Sequence, residues 1–250
     1  MESEVLFDGT MPRTFNGRTR YTDADHVTWA TLHKRQTALI WAHVCTMYKE
    51  GTMLLRLPHR KVPQLLDTMP TITAQTGWKL APAEAAYLSD EQWFTHFQNK
   101  RFPVTNYLRA PHEVDFTPQP DMFHDYFGHL PFMVFAEYAE FAALFGEAYR
   151  VTPAEHKHEL ARVWWHTFEF GLIKEDGEIR LLGAGLISSK EECINALDPA
   201  RHEPFDFYAS MKKPKSDQNV HQKYYVLESL EELREALVAY ILKHNGTGGI

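Results

Sequence analysis

The chain has few cysteines and no segment that suggests export. Cys45 and Cys193 stand far apart among 250 residues and form no CxxC pair, so neither a disulfide framework nor a cysteine-based zinc site is expected. Residues 1–5 are acidic and precede no apolar stretch of the kind found in secretory signals. No apolar run approaches the roughly 20 residues of a membrane span. These absences predict a cytoplasmic protein with no membrane partner.

Positive charge is also scarce. Lys and Arg number 26 against 33 Asp and Glu, which gives a formal net charge of -7 at pH 7. The densest basic stretch, residues 211–215, is short, so the chain lacks the basic face that nucleic-acid binding requires. Hydrophobic residues make up 44% of the chain and charged residues 24%, as in ordinary globular proteins.

Apolar periodicity and capping signals predict a mostly α-helical fold. We expect a single catalytic domain of packed helices with a few short β-strands, over residues 21–243, because this length suits one domain better than two. A flexible arm (1–20) is predicted before it and a disordered Gly-rich tail (244–250) after it. The predicted helices cover residues 23–50 (with Gly51 as its stop), 62–76, 89–97, 121–130, 132–145, 152–171, a stretch from 189, and 229–242. Strands or extended chain are predicted over 101–108, 178–187 and 224–227.

Two histidines and a glutamate form the most informative pattern. His124 and His129 follow Asp121 in an aromatic segment, and Glu169 comes later on another predicted helix. Two imidazoles and one carboxylate are the ligands that hold non-haem ferrous iron with coordination positions open for oxygen. Five residues on a straight α-helix correspond to roughly 140° of rotation, so the pair can share a metal only if the helix is distorted or one histidine lies at its start.

These residues also fit other interpretations. The two histidines could be structural residues of a helical binding protein, and Glu169 could be paired with an arginine. His166 and Glu169, three apart, resemble half of a dinuclear carboxylate site, although the required repeat is missing. An adjacent pair, His124 and Asp125, also occurs in helical metal phosphohydrolases. A zinc hydrolase could use the same two histidines and one glutamate, but the His-Glu-x-x-His arrangement is absent.

Several motifs, in order along the chain, resemble the pterin-dependent aromatic amino acid hydroxylases, and most closely the bacterial phenylalanine 4-monooxygenases. The likeness extends from about residue 21 to 242. It is carried by residues 25–32 (DHVTWATL), 101–105 (RFPVT), 118–131 (PQPDMFHDYFGHLP), 168–172 (FEFGL) and 183–189 (GAGLISS).

The resemblance implies an aromatic amino acid hydroxylase-like fold and an iron(II) site formed by His124, His129 and Glu169. It implies that Arg109, oriented by Asp121, meets the substrate carboxylate, for which a guanidinium fork is well suited. The remaining substrate-binding residues that it implies are Thr117, Trp165 and Ser188. For the pterin it implies stacking on Trp93, backbone contacts from Tyr87 and Leu88, and proximity to Asp125.

The activity so implied is ring hydroxylation of L-phenylalanine to L-tyrosine, with O2 as cosubstrate and tetrahydrobiopterin or a related tetrahydropterin as cofactor. Alternatives within the family are 3-hydroxylation to meta-tyrosine and hydroxylation of tyrosine or tryptophan. The resemblance also implies a monomer, because the chain has no room for the regulatory domain and the oligomerisation helix of the animal relatives. Some positions differ from the family: Val220 replaces an aromatic residue, Asn195 and Ala196 replace a Tyr-Cys pair, and Trp164 and His166 are unusual neighbours of Trp165.

Overall fold

The chain folds into packed helices with a few short strands, as predicted. The computed structural model describes residues 14–15, 18–85, 88–115, 117, 119–216 and 220–245. Its α-helices are α1 (Asp23–Ile40), α2 (Thr46–Leu55), α3 (Leu65–Thr76), α4 (Asp90–Gln98), α5 (Ala136–Val151), α6 (Lys157–Trp164), α7 (Ala184–Ser188), α8 (Lys190–Ala196), α9 (Phe207–Lys212) and α10 (Leu230–Asn245). None of these described helices combines the length and apolar character that crossing a membrane requires.

The strands form three small sheets. They are β1 (Thr14–Phe15), β2 (Arg18–Thr19), β3 (Lys79–Pro82), β4 (Arg101–Val104), β5 (Leu172–Glu175), β6 (Glu178–Leu181), β7 (His202–Pro204) and β8 (Tyr224–Leu227). β1 and β2 form a hairpin, β3 and β4 a parallel pair, and the remaining four a sheet in the order β6-β5-β8-β7. The prediction of a strand over 224–227 is confirmed, whereas the strand predicted over 101–108 ends at Val104.

The prediction of one long helix over residues 23–50 is wrong, because the structure has two helices there. α1 ends at Ile40, and Val44 then forms an isolated parallel bridge with Leu181, which α-helical backbone could not do. α2 passes through Gly51, the predicted stop. A Cβ built on Gly51 would lie 1.9 Å from the carbonyl oxygen of Pro131, so this glycine permits close packing inside a helix.

The extended segment predicted over residues 178–187 is also partly wrong. Only β6 is extended, and the chain then turns into α7. Gly183 lies very close to the end of a π-helical segment, Trp165–Glu169. A Cβ added at Gly183 would be 2.2 Å from the carbonyl oxygen of Glu169. Gly183 therefore permits close packing of the chain near the candidate site.

Most other helix boundaries differ by a turn or less, but the end of the helix predicted over 132–145 lies six residues further on. The helix predicted from residue 132 begins at Ala136, after a 3-10 turn, and continues to Val151. The capping box predicted at Ser89 and Gln92 is present. α10 extends through His244 and Asn245, two residues into the predicted tail, and residues 246–250 lie outside the described residues. The division into arm, domain and tail stays a prediction.

A dense aromatic core supports the central helices. Trp164 on α6 packs edge-on against Phe97 at 5.0 Å and Phe145 at 5.3 Å between ring centroids. Phe168 lies 4.9 Å from Trp164. All four rings are buried, so this core fixes the end of α6, where Glu169 follows.

Candidate metal centre

The helix that carries the two histidines contains a π-helical segment. Asp121 Oδ1 accepts a hydrogen bond from the His124 backbone N–H at 3.2 Å, which confirms the predicted cap. From His124 to His129 the helix is π-helical, and the N–H of Leu130 bonds to the carbonyl of Asp125 at 3.1 Å. The wider π turn brings residues five apart onto one face. This is the distortion that the spacing of the histidines required.

Glu169 ends a second π-helical segment, Trp165–Glu169, which continues α6. Its hydrogen bond from the Phe170 N–H to the Trp165 carbonyl is 3.0 Å long. Because of the π turn, the indole Nε1–H of Trp164, five residues earlier, donates to Glu169 Oε1 at 2.8 Å. One carboxylate oxygen is thus fixed by a buried donor.

The three side chains converge on one point. His129 Nε2 lies 3.2 Å from His124 Nε2 and 3.1 Å from Glu169 Oε1, and His124 Nε2 lies 3.3 Å from Glu169 Oε2. Their ligand atoms all lie within 4.8 Å of one another. Among the described residues, they form the one group of three or more His, Cys, Asp or Glu side chains that could hold a metal ion. Two imidazole nitrogens and a carboxylate, focused at such distances, suit a divalent cation.

Neighbouring groups set the protonation of this cluster. Ser188 Oγ donates to the carbonyl of Ala184 at 2.8 Å and lies 2.9 Å from His124 Nδ1. It can therefore accept a hydrogen bond from Nδ1–H, which leaves the lone pair of His124 Nε2 directed at the cluster. Among the described residues, Nδ1 of His129 has no hydrogen-bond partner. The polar contacts of the His129 side chain therefore all lie within the cluster.

Charge in the cluster favours a cation. Burial opposes ionisation of Glu169, but the two imidazoles outweigh it and lower the pKa of this carboxyl well below its usual range. Burial lowers the pKa of His129. Burial also acts to lower the pKa of His124, but Glu169 outweighs it and the pKa is raised. A proton on His124 and a metal ion would thus compete for the same position.

Arg109 and Asp121 form a buried ion pair beside the cluster. Arg109 Nε donates to Asp121 Oδ2 at 2.8 Å and Nη2 donates to Oδ1 at 2.9 Å. The guanidinium is 6% exposed and the carboxylate 0%. Asp121 thus uses two of the nitrogens, and Nη1 has no partner among the described residues. The predicted orienting contact between these two side chains is present.

A cavity of about 670 Å³ opens beside the cluster. It brings together most of the residues predicted for substrate and pterin, whose roles stay predictions. Those lining it are Leu88, Trp93, Arg109, Thr117, His124, Asp125, Trp165, Glu169 and Ser188. Asp121 and His129 lie behind this wall, and Tyr87 lies outside the described residues. The volume is that of a typical small-molecule site.

Asp125 differs from the other acidic residues of the cavity. Its Oδ2 accepts the backbone N–H of Thr105 at 2.6 Å. Burial raises the pKa of Asp125 to about 7, so this carboxyl exchanges a proton readily near neutral pH.

Some functional contacts were missed by the sequence analysis. Trp164 was noted only as an aromatic neighbour, because its five-residue spacing to Glu169 has no meaning on an α-helix. Phe170 and Glu192 also line the cavity, as does Val220, one of the positions at which the sequence departs from the family. His166, considered for a dinuclear site, instead places Nε2 3.0 Å from the carbonyl of Lys213.

Known proteins resemble this chain over nearly its whole length. The sequence profile described as "Biopterin-dependent aromatic amino acid hydroxylase" matches residues 15–245. The phenylalanine-4-hydroxylase of Chromobacterium violaceum is 35% identical over 232 residues, which cover 92% of this chain and 77% of that one. The phenylalanine-4-hydroxylase of Pseudomonas aeruginosa is 34% identical over 219 residues, covering 87% and 83%.

Solved structures show the same fold. A crystal structure of the C. violaceum phenylalanine hydroxylase with bound iron(III) and 7,8-dihydrobiopterin superposes with a TM-score of 0.83 at 34% identity. The match covers 92% of this chain and 84% of that one. The predicted fold, including its likeness to the aromatic amino acid hydroxylases, is therefore confirmed.

Proposed function

Since this chain belongs to the biopterin-dependent aromatic amino acid hydroxylases, we propose that it is an iron(II)- and tetrahydropterin-dependent monooxygenase that hydroxylates the ring of L-phenylalanine to L-tyrosine. The observation that carries the proposal is the convergence of His124, His129 and Glu169 at 3.1–3.3 Å beside a cavity of about 670 Å³. Iron and the tetrahydropterin would supply the open coordination positions and the electrons for cleaving O2.

The three converging side chains would hold the iron on one face. Ser188 accepts from Nδ1 of the neutral His124 ring, which leaves Nε2 for the metal, and the Trp164 indole orients the carboxylate of Glu169. Such supporting hydrogen bonds fix ligand orientation and raise metal affinity. The cavity beside these side chains would be left to O2 and the substrates.

Arg109 would bind the carboxylate of phenylalanine. Asp121 holds Nε and Nη2, so Nη1 remains for the substrate, and the buried setting strengthens a charge-assisted hydrogen bond. Trp165 and Phe170 line the same cavity, with ring centroids 4.7 Å apart. They would form the wall against the substrate ring and exclude water from it.

The pterin would occupy the side of the cavity formed by α4. Trp93 on α4 lines the cavity 6.1 Å from the ring of His129, measured between centroids. Leu88 lies just before this helix and Asp125 faces the same space. With its pKa raised to about 7 by burial, Asp125 can accept or donate a proton at the pterin or its water.

We also propose that the protein works as a monomer in the cytoplasm. Both cysteines are buried and free, which is compatible with a reducing compartment. The mass of the chain, 29.0 kDa, is the value that light scattering would give for a monomer.

The test is identification of the product. Protein reconstituted with iron(II) is supplied with tetrahydrobiopterin, O2 and L-phenylalanine, and the products are separated by chromatography. The proposal expects para-tyrosine, formed only when all components are present. Meta-tyrosine would show attack at another ring carbon. Faster hydroxylation of tyrosine or tryptophan than of phenylalanine would assign a different substrate. Cleavage of an ester or phosphate without O2 uptake would overturn the oxygenase assignment.

A further inference from the structure

His221 lies behind the aromatic wall of the cavity and contacts both of its rings. Trp165 Nε1 donates to His221 Nε2 at 3.1 Å. The imidazole also stacks on Phe170, with centroids 4.2 Å apart and an interplanar angle of 30°. His221 is only 4% exposed, so it reaches the cavity through these two rings.

A buried carboxylate fixes the orientation of His221. Glu192 Oε1 lies 2.8 Å from His221 Nδ1 and accepts the backbone N–H of His221 at 3.1 Å. Its other oxygen accepts the hydroxyl of Tyr224. Asn195 donates to the carbonyl of His221 at 2.5 Å and to the Tyr224 hydroxyl at 2.6 Å. Backbone and side chain of His221 are therefore both held.

The donor types leave one arrangement of protons. An indole N–H can only donate, so Nε2 of His221 must accept. The ring proton then sits on Nδ1 and donates to Glu192. The resulting chain of hydrogen bonds runs in one direction, with Trp165 donating to His221 and His221 donating to Glu192.

We propose that His221, oriented by Glu192, is a positioning residue that fixes the indole of Trp165 against the substrate ring and thereby sets the affinity for the aromatic substrate. The proposal rests on the proposed function. It assigns a role in the substrate site to two residues that stand outside the metal cluster. Without the acceptor, the indole N–H loses its partner and Trp165 gains rotational freedom in the cavity.

The main variant is His221→Phe, which keeps a ring to stack on Phe170 but removes both nitrogens. It is expected to raise KM for phenylalanine roughly 10-fold, because the loss of one hydrogen bond worth about 1.4 kcal/mol corresponds to a tenfold change in affinity. KM for the tetrahydropterin should change less than about twofold, and kcat should fall less than KM rises. His221→Gln, whose amide can both accept from Trp165 and donate to Glu192, should restore KM. His202→Gln, at a histidine that bonds the carbonyl of Ala196, is the matched control.

A second measurement does not depend on activity. The six tryptophans give separate indole N–H signals in a 15N-tryptophan NMR spectrum of the full chain, and the Trp165 signal is assigned by its loss in Trp165→Phe. His221→Phe should shift this signal and speed its hydrogen exchange, while His221→Gln should leave both near the wild-type values. If the wild type hydroxylates no phenylalanine, the proposed function fails while this spectrum still tests the hydrogen bond.

A double-mutant cycle separates positioning from a general structural role. Once Trp165→Phe has removed the indole N–H, adding His221→Phe should raise KM for phenylalanine no further. An added effect in that background would overturn the proposal. An unchanged Trp165 signal in His221→Phe would also overturn it. So would an equal rise in KM for phenylalanine and for the tetrahydropterin that His221→Gln does not restore. Should His221→Phe fail to fold, Trp165→Phe alone must raise KM to the same extent, and a wild-type KM there contradicts the proposal.

Discussion

Single side chains around the metal cluster are each held by a hydrogen bond from or to a second side chain. Ser188 holds His124, the Trp164 indole holds Glu169, and Asp121 holds Arg109. A group fixed in this way loses little conformational entropy when a ligand binds. The buried Arg109–Asp121 pair adds a constraint, because removing either partner leaves an uncompensated charge.

Arg109→Lys tests the assigned carboxylate contact while keeping the charge that Asp121 needs. A lysine lacks the planar fork, so it cannot serve Asp121 at two points and also reach the substrate. We expect KM for phenylalanine to rise about tenfold or more, with KM for the tetrahydropterin little changed, in steady-state kinetics. Arg234→Lys, at a surface pair with Glu140, is the control. Unchanged KM for phenylalanine in Arg109→Lys would place the carboxylate contact elsewhere.

At the scale of elements, the site depends on two π-helical segments, His124–His129 and Trp165–Glu169. In an α-helix, five residues are about 140° apart, so neither the His124–His129 pair nor the Trp164–Glu169 contact could form. α7 packs against the first of these segments through close backbone approaches. A Cβ added at Gly128 would lie 2.9 Å from the carbonyl oxygen of Ala184.

Gly183→Ala tests whether this packing positions the metal ligand. The new methyl group would meet the carbonyl of Glu169 at 2.2 Å, which overpacks the site at a cost of about 1–3 kcal/mol. We expect iron affinity to fall together with the free energy of unfolding. Gly177→Ala is the control: its φ of 79° strains an alanine, yet a Cβ there meets nothing within 4 Å. Gly177→Ala should lower the free energy of unfolding by about 1–2 kcal/mol and leave the iron affinity unchanged. An equal fall of iron affinity in both variants would show that Gly183 has no specific effect on the metal ligand.

For the whole molecule, stability depends on pH through His166. This histidine is 3% exposed, and its burial lowers the pKa of His166 to about 4 from 6.5. The neutral form is favoured in the fold, so the unfolded chain binds more protons between these two values. The free energy of unfolding is therefore highest above pH 6.5. It falls as the pH drops toward 4, by at most about 3 kcal/mol from this group.

His166→Phe should remove this dependence. Denaturant titrations at intervals between pH 7 and 4 are expected to give a flatter curve of unfolding free energy for the variant than for the wild type. The exposed His158→Phe is the control and should follow the wild type. If wild type and His166→Phe lose stability in parallel over this range, other groups govern the acid response.

Local patterns made much of the fold predictable. The capping box at Ser89, the helix end at Gly77 and the strand over 224–227 each follow from residues within a few positions. The break after Ile40 could not be predicted, because it depends on the bridge between Val44 and Leu181, which are distant in sequence. The same holds for the short helix at Gly183.

The candidate site was predictable in composition but not in geometry. The ligand set at 124, 129 and 169 was predicted from residue types and motif resemblance, and the spacing signalled that the helix must be distorted. The π turn itself depends on tertiary packing against α7, which no local pattern encodes. The His221–Glu192 contact was missed for a similar reason, since Trp165 meets His221 only when β8, just after His221, packs against the second π-helical segment.

Iron titration of wild type and Glu169→Gln tests the central claim most directly. An amide keeps the size of the carboxylate and its bond from Trp164 but removes the negative charge. Isothermal titration with iron(II) under anaerobic conditions should give one ion per wild-type chain and an affinity lower by roughly 10-fold or more in the variant, with matching thermal unfolding of the metal-free proteins. A Glu169→Gln protein that binds iron(II) as tightly as the wild type would contradict the three-residue metal centre.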